Sequence, residues 1–137
     1  MTPDQFAAAA EALIDAPFRL GGRDPATGLD CVGLVACALG GAEAPAGYRL
    51  RNSDIAAHLA FAARAGFAPA PGAIARGDIV LAVPGPAQHH LLVALGPGSD
   101  GGGRFVHAHA GLRRVSLHRG ALPWPEAARW RLASERF

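Results

Sequence analysis

The sequence predicts an α+β protein in which N-terminal helices pack on an antiparallel sheet of five or six strands. Apolar residues recur at helical spacing in the first half, whereas from Gly77 onward they form short runs typical of strands. Clusters of glycine, proline and aspartate separate these runs closely, which favours antiparallel connections. We expect a single domain over 1-137, with a helical half at about 2-66 and a sheet half at about 77-133.

The first helix is predicted to begin at a capping box. Thr2 is suited to the N-cap, Pro3 to the first helical position, and Gln5 completes the box. Apolar residues then follow at i, i+3, i+4, i+7 and i+8, giving one apolar face before Pro17 ends the helix. The residues of this face are Phe6, Ala9, Ala10, Leu13 and Ile14.

The second helix is predicted from about Asp30 to Leu39, after a loop that contains Gly21-Gly22. It carries no charged side chain beyond Asp30, and a helix that is apolar on all sides is typically buried. A stripe of small residues would let a neighbouring element approach closely. This stripe consists of Gly33, Ala36 and Gly40.

A third helix is predicted from Asn52-Ser53-Asp54 to a stop at Gly66, followed by a proline-rich linker over 69-72. Five strands are then expected, separated by turn-forming residues. The predicted strands are Asp78–Val83, His89–Leu95, Arg104–Ala110, Leu112–His118 and Arg129–Ala133.

Cys31 is the candidate nucleophile. It follows Asp30, an N-cap residue, so the helix dipole and free backbone N–H groups are expected to favour its thiolate. Cys37 points to another side of the same helix and is interpreted as a core residue.

Histidines in two later strands could supply a base and an orienting group for this thiol. If the two strands are antiparallel neighbours, one histidine from each is expected on the sheet face against which the cysteine helix packs. Alternation of side chains does not choose between His89 and His90, nor between His107 and His109.

The chain resembles the NlpC/P60 family of papain-like cysteine peptidases, through five segments that occur in the family's order and span nearly the whole sequence. These are Ala16-Pro17-Phe18 before Gly21-Gly22, Asp30-Cys31-Val32-Gly33, Gly77-Asp78, the strand from His90 to Gly96, and Phe105-Val106-His107-Ala108. The resemblance implies a papain-like fold and a thiol hydrolase that cleaves peptidoglycan stem peptides, most plausibly at the γ-D-glutamyl–diaminopimelate bond, through a thioester. It implies no cofactor and no metal.

The resemblance also implies roles for individual residues. Cys31 corresponds to the nucleophile, His90 to the general base and His107 to the group that orients His90. Asp30 would contact the free amino end of the stem peptide as well as cap the helix. His89 and His109 are interpreted as residues that face solvent or support the site from behind.

Two positions depart from the family pattern. Phe18 stands where the family has tyrosine, and Val32 stands where serine is common. Both are expected at the substrate pocket, so we expect altered specificity or a reduced rate with the catalytic residues intact.

The residues are also compatible with other functions. The strand histidines could hold zinc in a metal-dependent hydrolase, although no acidic ligand accompanies them at the usual spacing. The fold could serve as a binding module with weak or no catalysis, or as an amidase or acyltransferase on another substrate. Arg76-Gly77-Asp78 is interpreted as the start of a strand rather than an adhesion motif, Trp124 and Trp130 as packing residues, and His118 as a residue without an evident partner.

Charge and hydropathy bear on partners and location. The net charge is +2 without a basic run, which argues against nucleic acid, and no stretch approaches the roughly 20 apolar residues of a membrane span. The N-terminus lacks the pattern of a signal peptide. The chain resembles the short peptidases of phage tails and gene transfer agents, which implies that a particle delivers it to the cell wall or periplasm. Its implied partners are the peptidoglycan stem peptide and particle proteins. Without such delivery, the expected location is cytoplasmic.

Overall fold

A computed structural model describes residues 1-40, 63-86, 88-98 and 102-133. Residues 52-62 of the predicted third helix lie outside these ranges. The described elements are helices α1 (Pro3–Glu11) and α2 (Cys31–Ala38), and strands β1 (Arg23–Asp24), β2 (Gly28–Leu29), β3 (Phe67–Pro69), β4 (Ile79–Ala82), β5 (His90–Ala94), β6 (Arg104–His109), β7 (Arg114–Arg119) and β8 (Glu126–Leu132). None of the described helices is long and apolar enough to cross a membrane.

Six strands form one antiparallel sheet in the order β3-β8-β4-β5-β6-β7, and β1 and β2 form a separate hairpin. The predicted α+β class and the antiparallel sheet are therefore confirmed. The sheet begins earlier than predicted, because β3 pairs with the end of β8 next to the segment expected to be a linker. Strand β7 starts at Arg114, since Arg113 has a φ of 59° and belongs to the turn.

Helix α1 begins at the predicted capping box. The Gln5 N–H donates to Thr2 Oγ1 at 3.1 Å, and the Thr2 N–H donates to Gln5 Oε1 at 2.8 Å. The helix is shorter than predicted and ends at Glu11, so the last apolar residues of the predicted face follow it in turns and pack against the core. Its buried residues are Phe6, Ala7 and Ala10.

Two apolar layers enclose the sheet. The first fills the space between the helices and one sheet face and includes Phe6, Leu34, Leu91 and Val93. The second covers the opposite face. Its members are Val80, Ala82, Leu92, Ala94 and Phe105, with Leu122 and Trp124 packed against them. The sheet is therefore covered on both sides over β4 and β5.

The segment before β4 packs directly against the start of α1. Gly77 has a φ of 92°, and a Cβ there would overlap the backbone of Pro3. Asp78 is fully buried and binds Arg131 through two hydrogen bonds of 2.7 and 3.0 Å. A fully buried aspartate cannot present an adhesion motif, so the interpretation of this segment as the start of a strand is confirmed.

Candidate active site

Asp30 organises the beginning of α2. Its Oδ1 accepts hydrogen bonds from the Gly33 N–H at 2.8 Å and from Arg23 Nη1 at 2.9 Å, and its Oδ2 accepts from the Gly21 N–H at 2.7 Å. The side chain is fully buried. The predicted N-cap role is confirmed, and the same carboxylate joins the helix to the preceding loop.

The loop and the helix touch through their backbones at two glycines. A Cβ on Gly33 would overlap the carbonyl oxygen of Gly22, so only glycine allows this approach. The predicted stripe of small residues is thus used at Gly33, where a loop rather than a sheet or helix approaches. Gly40 has no neighbour within 4 Å of a Cβ position among the described residues.

Cys31 lies at the first position of α2 and is 5% exposed. Burial raises the pKa of its thiol to about 11, and the negative charge of Asp30 adds to this, while hydrogen bonding from the backbone at Leu91, Val32 and Cys31 itself opposes it. The expectation of a favoured thiolate is therefore wrong for this state of the protein. Removal from water outweighs the helix start.

His90 and His107 form a direct side-chain pair. Nε2 of His90 lies 2.9 Å from Nδ1 of His107, across neighbouring antiparallel strands β5 and β6. If Nδ1 of His90 is to accept a proton from a thiol, then Nε2 must carry the ring hydrogen and donate it to Nδ1 of His107. His107 can thus fix both the ring orientation and the tautomer of His90.

This pair does not lie on the sheet face that the sequence suggested. Leu92, Ala94 and Phe105, which share the faces of the two histidines on β5 and β6, belong to the layer opposite the helices. His90 and Cys31 nevertheless come close together because His90 is the first residue of β5. The backbone of the next residue, Leu91, hydrogen-bonds to the sulfur.

Both histidines of the pair are held neutral. Burial lowers the pKa of His90 to about 3, with further contributions from His107 and His109. Burial likewise lowers the pKa of His107 to about 4, together with the nearby His109 and His118. In the resting protein the candidate nucleophile is a thiol and the candidate base is an uncharged imidazole.

A cleft of about 280 Å³ opens at this end of the sheet. It brings together three of the six residues predicted for the site, namely Cys31, His90 and Phe18. It is also lined by Pro84, Gln88, His89, Ala108, His109, Ala110, Gly111 and Trp124.

The other three predicted residues lie behind the cleft wall. Asp30 and Val32 are at most 1% exposed, and neither lines the cleft. The structure thus gives both residues supporting positions and does not bring them to a substrate there. His107 is 4% exposed and touches the cleft indirectly, through His90.

Trp124 was interpreted from the sequence as a packing residue only. Its ring stands edge-on to His90, with centroids 5.5 Å apart and planes at 88°, and lies 6.0 Å from His107. It therefore covers the histidine pair and lines the cleft as well. The proline-rich segment around it carries no signal that could have placed it there. Trp130, by contrast, is buried in the first core layer, as predicted.

Two further histidines surround His107. The ring of His109 is 5.1 Å from that of His107, and the ring of His118 is 6.3 Å away. His118 also donates from Nε2 to the carbonyl of Ala121 at 2.9 Å, so the interpretation that it lacks a partner is wrong. The alternating positions in β6 and the pairing of β6 with β7 explain this cluster.

Metal binding by these histidines receives no support from their arrangement. Within the described ranges, no group of three or more histidine, cysteine, aspartate or glutamate side chains is placed to hold a metal ion. Cys31 and Cys37 are both free thiols.

The structure is similar to the crystal structure of the NlpC/p60 domain of the peptidoglycan hydrolase SagA, with a TM-score of 0.55 and 23% sequence identity over 87% of this chain and 90% of that chain. It is also similar to the P60 domain of the antigen MAP1204 from M. avium subspecies paratuberculosis, with a TM-score of 0.59 and 18% identity over 95% of this chain and 93% of that chain. The chain has the NlpC/P60 fold. No family model matches the sequence, and no curated protein sequence matches it. The NlpC/P60 fold is thus carried here by a divergent sequence.

Proposed function

We propose that this protein is a cell-wall hydrolase of the NlpC/P60 family that cleaves an amide bond in peptidoglycan stem peptides, with Cys31 as nucleophile. The observation that carries the proposal is that Cys31 and His90 line one cleft while His90 is hydrogen-bonded to His107 at 2.9 Å. The similarity to a domain of a peptidoglycan hydrolase supports the substrate class. The γ-D-glutamyl–diaminopimelate bond is the proposed target.

The resting state determines how the first step proceeds. Since burial keeps Cys31 a thiol and His90 neutral, the proton moves to Nδ1 of His90 as the sulfur attacks the substrate carbonyl. In this proposal the oxyanion accepts hydrogen bonds from the backbone N–H groups of Cys31 and Val32, which are free of intrahelical partners at the start of α2. Nε2 of His90 keeps its hydrogen bond to His107 throughout.

The remaining steps restore the enzyme. The carbon–nitrogen bond breaks, the leaving amine takes the proton from His90, and a thioester remains on Cys31. A water molecule then gives a proton to His90 and attacks the thioester. The carbon–sulfur bond breaks, the sulfur regains the proton, and a carboxylic acid is released.

The direct test is hydrolysis of purified muropeptides by the wild type and by Cys31→Ala and His90→Ala. Both variants should lose cleavage while keeping the wild-type circular dichroism spectrum. His89→Ala is the matched control, because His89 lines the same cleft one residue away, whereas the ring paired with His107 at 2.9 Å is that of His90. Cleavage retained by Cys31→Ala, or lost in His89→Ala and kept in His90→Ala, would contradict these roles.

A binding module with little catalysis is the second candidate, and the raised pKa of Cys31 favours it. Alkylation by iodoacetamide in a Cys37→Ala background separates the two functions. In a hydrolase His90 takes the proton of the Cys31 thiol, so His90→Ala should slow the alkylation of Cys31 strongly. Alkylation at the same rate with and without His90 would favour the binding module.

Action at the cell wall after delivery by a phage-tail-like particle is part of the proposal and rests on the sequence resemblance alone. Co-purification with tail-like particles from the source cells tests it. Recovery of the protein only as a free species would contradict particle delivery while leaving the proposed chemistry unaffected.

A further inference from the structure

His109 lies at the rim of the cleft, and neighbouring residues fix the orientation of its ring. It ends β6 and lies on the same strand face as His107, two residues and therefore about 7 Å further along the strand. Its ring is half-buried, lines the cleft, and stands at 77° to the ring of His107. The proposed chemistry assigns His109 no role.

The turn after β6 fixes the orientation of this ring. Nδ1 of His109 accepts the N–H of Leu112 at 3.1 Å. Because Nδ1 is an acceptor, the ring hydrogen is on Nε2. A Cβ at Gly111 would lie only 3.0 Å from Cε1 of His109, so the glycine makes room for the ring. Within the described residues Nε2–H has no protein acceptor, which leaves an oriented donor at the cleft.

The charges around this donor select the kind of group that it would bind. The described residues of the cleft lining include no aspartate and no glutamate, and their polar side chains are those of Gln88, three histidines and Cys31. The turn continues into Arg113 and Arg114, both exposed, and Arg114 forms an ion pair with Asp15 at 3.7 Å. An ammonium group would find no counter-charge in the cleft lining, whereas an anion would find the donor of His109 and the positive charge of Arg113 in the adjoining turn.

We infer that His109 is a specificity-determining residue whose Nε2–H binds a carboxylate of the substrate residue that supplies the acyl group. This rests on the proposed function and narrows its substrate class to peptides with a free carboxylate next to the scissile amide. Asp30, which the sequence resemblance assigned to the substrate's amino end, is buried away from the cleft.

The test compares two muropeptides that differ at one group, the glutamyl α-carboxylate or its carboxamide. Calorimetry in a Cys31→Ala background measures binding without turnover. The carboxylate peptide should bind about 10-fold more tightly or better, as expected for a hydrogen bond to a charged group. Adding His109→Ala should bring the two affinities within about twofold, and His109→Gln, which restores an N–H donor, should recover part of the preference.

His118→Gln is the matched control. His118, like His109, lies beside His107 and lowers the pKa of that residue, but it does not line the cleft. It should leave the preference for the carboxylate intact. Equal loss in His118→Gln would show that the effect comes from the histidine pair and would overturn the inference.

The remaining outcomes separate the two proposals. If the protein binds the carboxylate peptide more tightly but the wild type hydrolyses neither peptide, this would contradict the proposed function and support the role of His109. Hydrolysis of both peptides with equal affinity and equal kcat/KM would support the proposed function and overturn the role of His109. Failure to bind either peptide would also overturn it.

Discussion

The buried histidine pair makes the stability of this protein depend on pH in a defined window. In the unfolded chain each histidine takes up a proton below its ordinary pKa of 6.5, whereas in the fold burial lowers the pKa of His90 to about 3 and that of His107 to about 4. Falling pH therefore favours the unfolded state, which binds more protons. The stability that the neutral pair contributes is complete above about pH 6.5 and is lost as the pH falls to about 4 for His107 and to about 3 for His90.

The size of the effect follows from the number of protons. One histidine that is protonated only in the unfolded state changes the free energy of unfolding by up to about 1.4 kcal/mol per pH unit. Between pH 6 and pH 5 the pair together should lower it by about 2 kcal/mol, because a part of each unfolded histidine is still unprotonated near pH 6 and keeps the slope below its maximum.

Urea denaturation at pH 7, 6 and 5 measures this change. The reference is a His90→Gln/His107→Gln double variant, whose other titratable groups are the same, so that the difference in slope belongs to the pair. The double variant should be less stable at pH 7 and lose about 2 kcal/mol less than the wild type between pH 6 and pH 5. Equal slopes in the two proteins would refute the buried, neutral state of the pair.

Three other substitutions test separate features. Gly33→Ala should lower the free energy of unfolding by about 2 kcal/mol or more in urea denaturation, because its Cβ would overlap the Gly22 backbone; a wild-type midpoint would contradict that approach. Asp30→Ala should lower the free energy of unfolding by about 2 kcal/mol, since the half-buried Arg23 and two backbone donors lose their acceptor, and Asp30→Asn should cost less. Trp124→Ala should admit water to His90 and raise the pKa of His90 toward its ordinary value, which NMR titration measures. Trp124→Phe should keep most of the shielding and most of the lowered pKa. An unchanged titration of His90 in Trp124→Ala would argue against shielding by the indole.

Local signals made most of the fold predictable. The capping box at Thr2 and the N-cap at Asp30 act within one helical turn, and the alternation that defines a strand is also local. Strand β3 could not be predicted in this way. It has three residues, ends in Pro69, and exists because it pairs with β8 at the edge of the sheet.

The candidate site was predictable only to the extent that motifs mark it. Sequence reasoning brought Cys31 and His90 to one site, and the structure places both on one cleft. The sequence did not predict the raised pKa of Cys31, because burial of the thiol depends on how the sheet and helix pack over it. Trp124 was missed for a related reason, since a distant loop folds over the sheet face and nothing in its own sequence indicates that contact.

The nucleophile and the base belong to different layers of this protein. Cys31 is carried by α2 in the layer between helices and sheet, and His90 faces the layer on the other side of the sheet. Their separation is therefore set by how thick the first layer is, that is, by the size of side chains such as Leu34 and Val93. Replacing these apolar residues by larger or smaller ones would therefore change the distance between Cys31 and His90. A displacement of about 1 Å is enough to change a rate by about 100-fold. Selection on the rate of this protein would in that case act on core residues that no substrate ever touches.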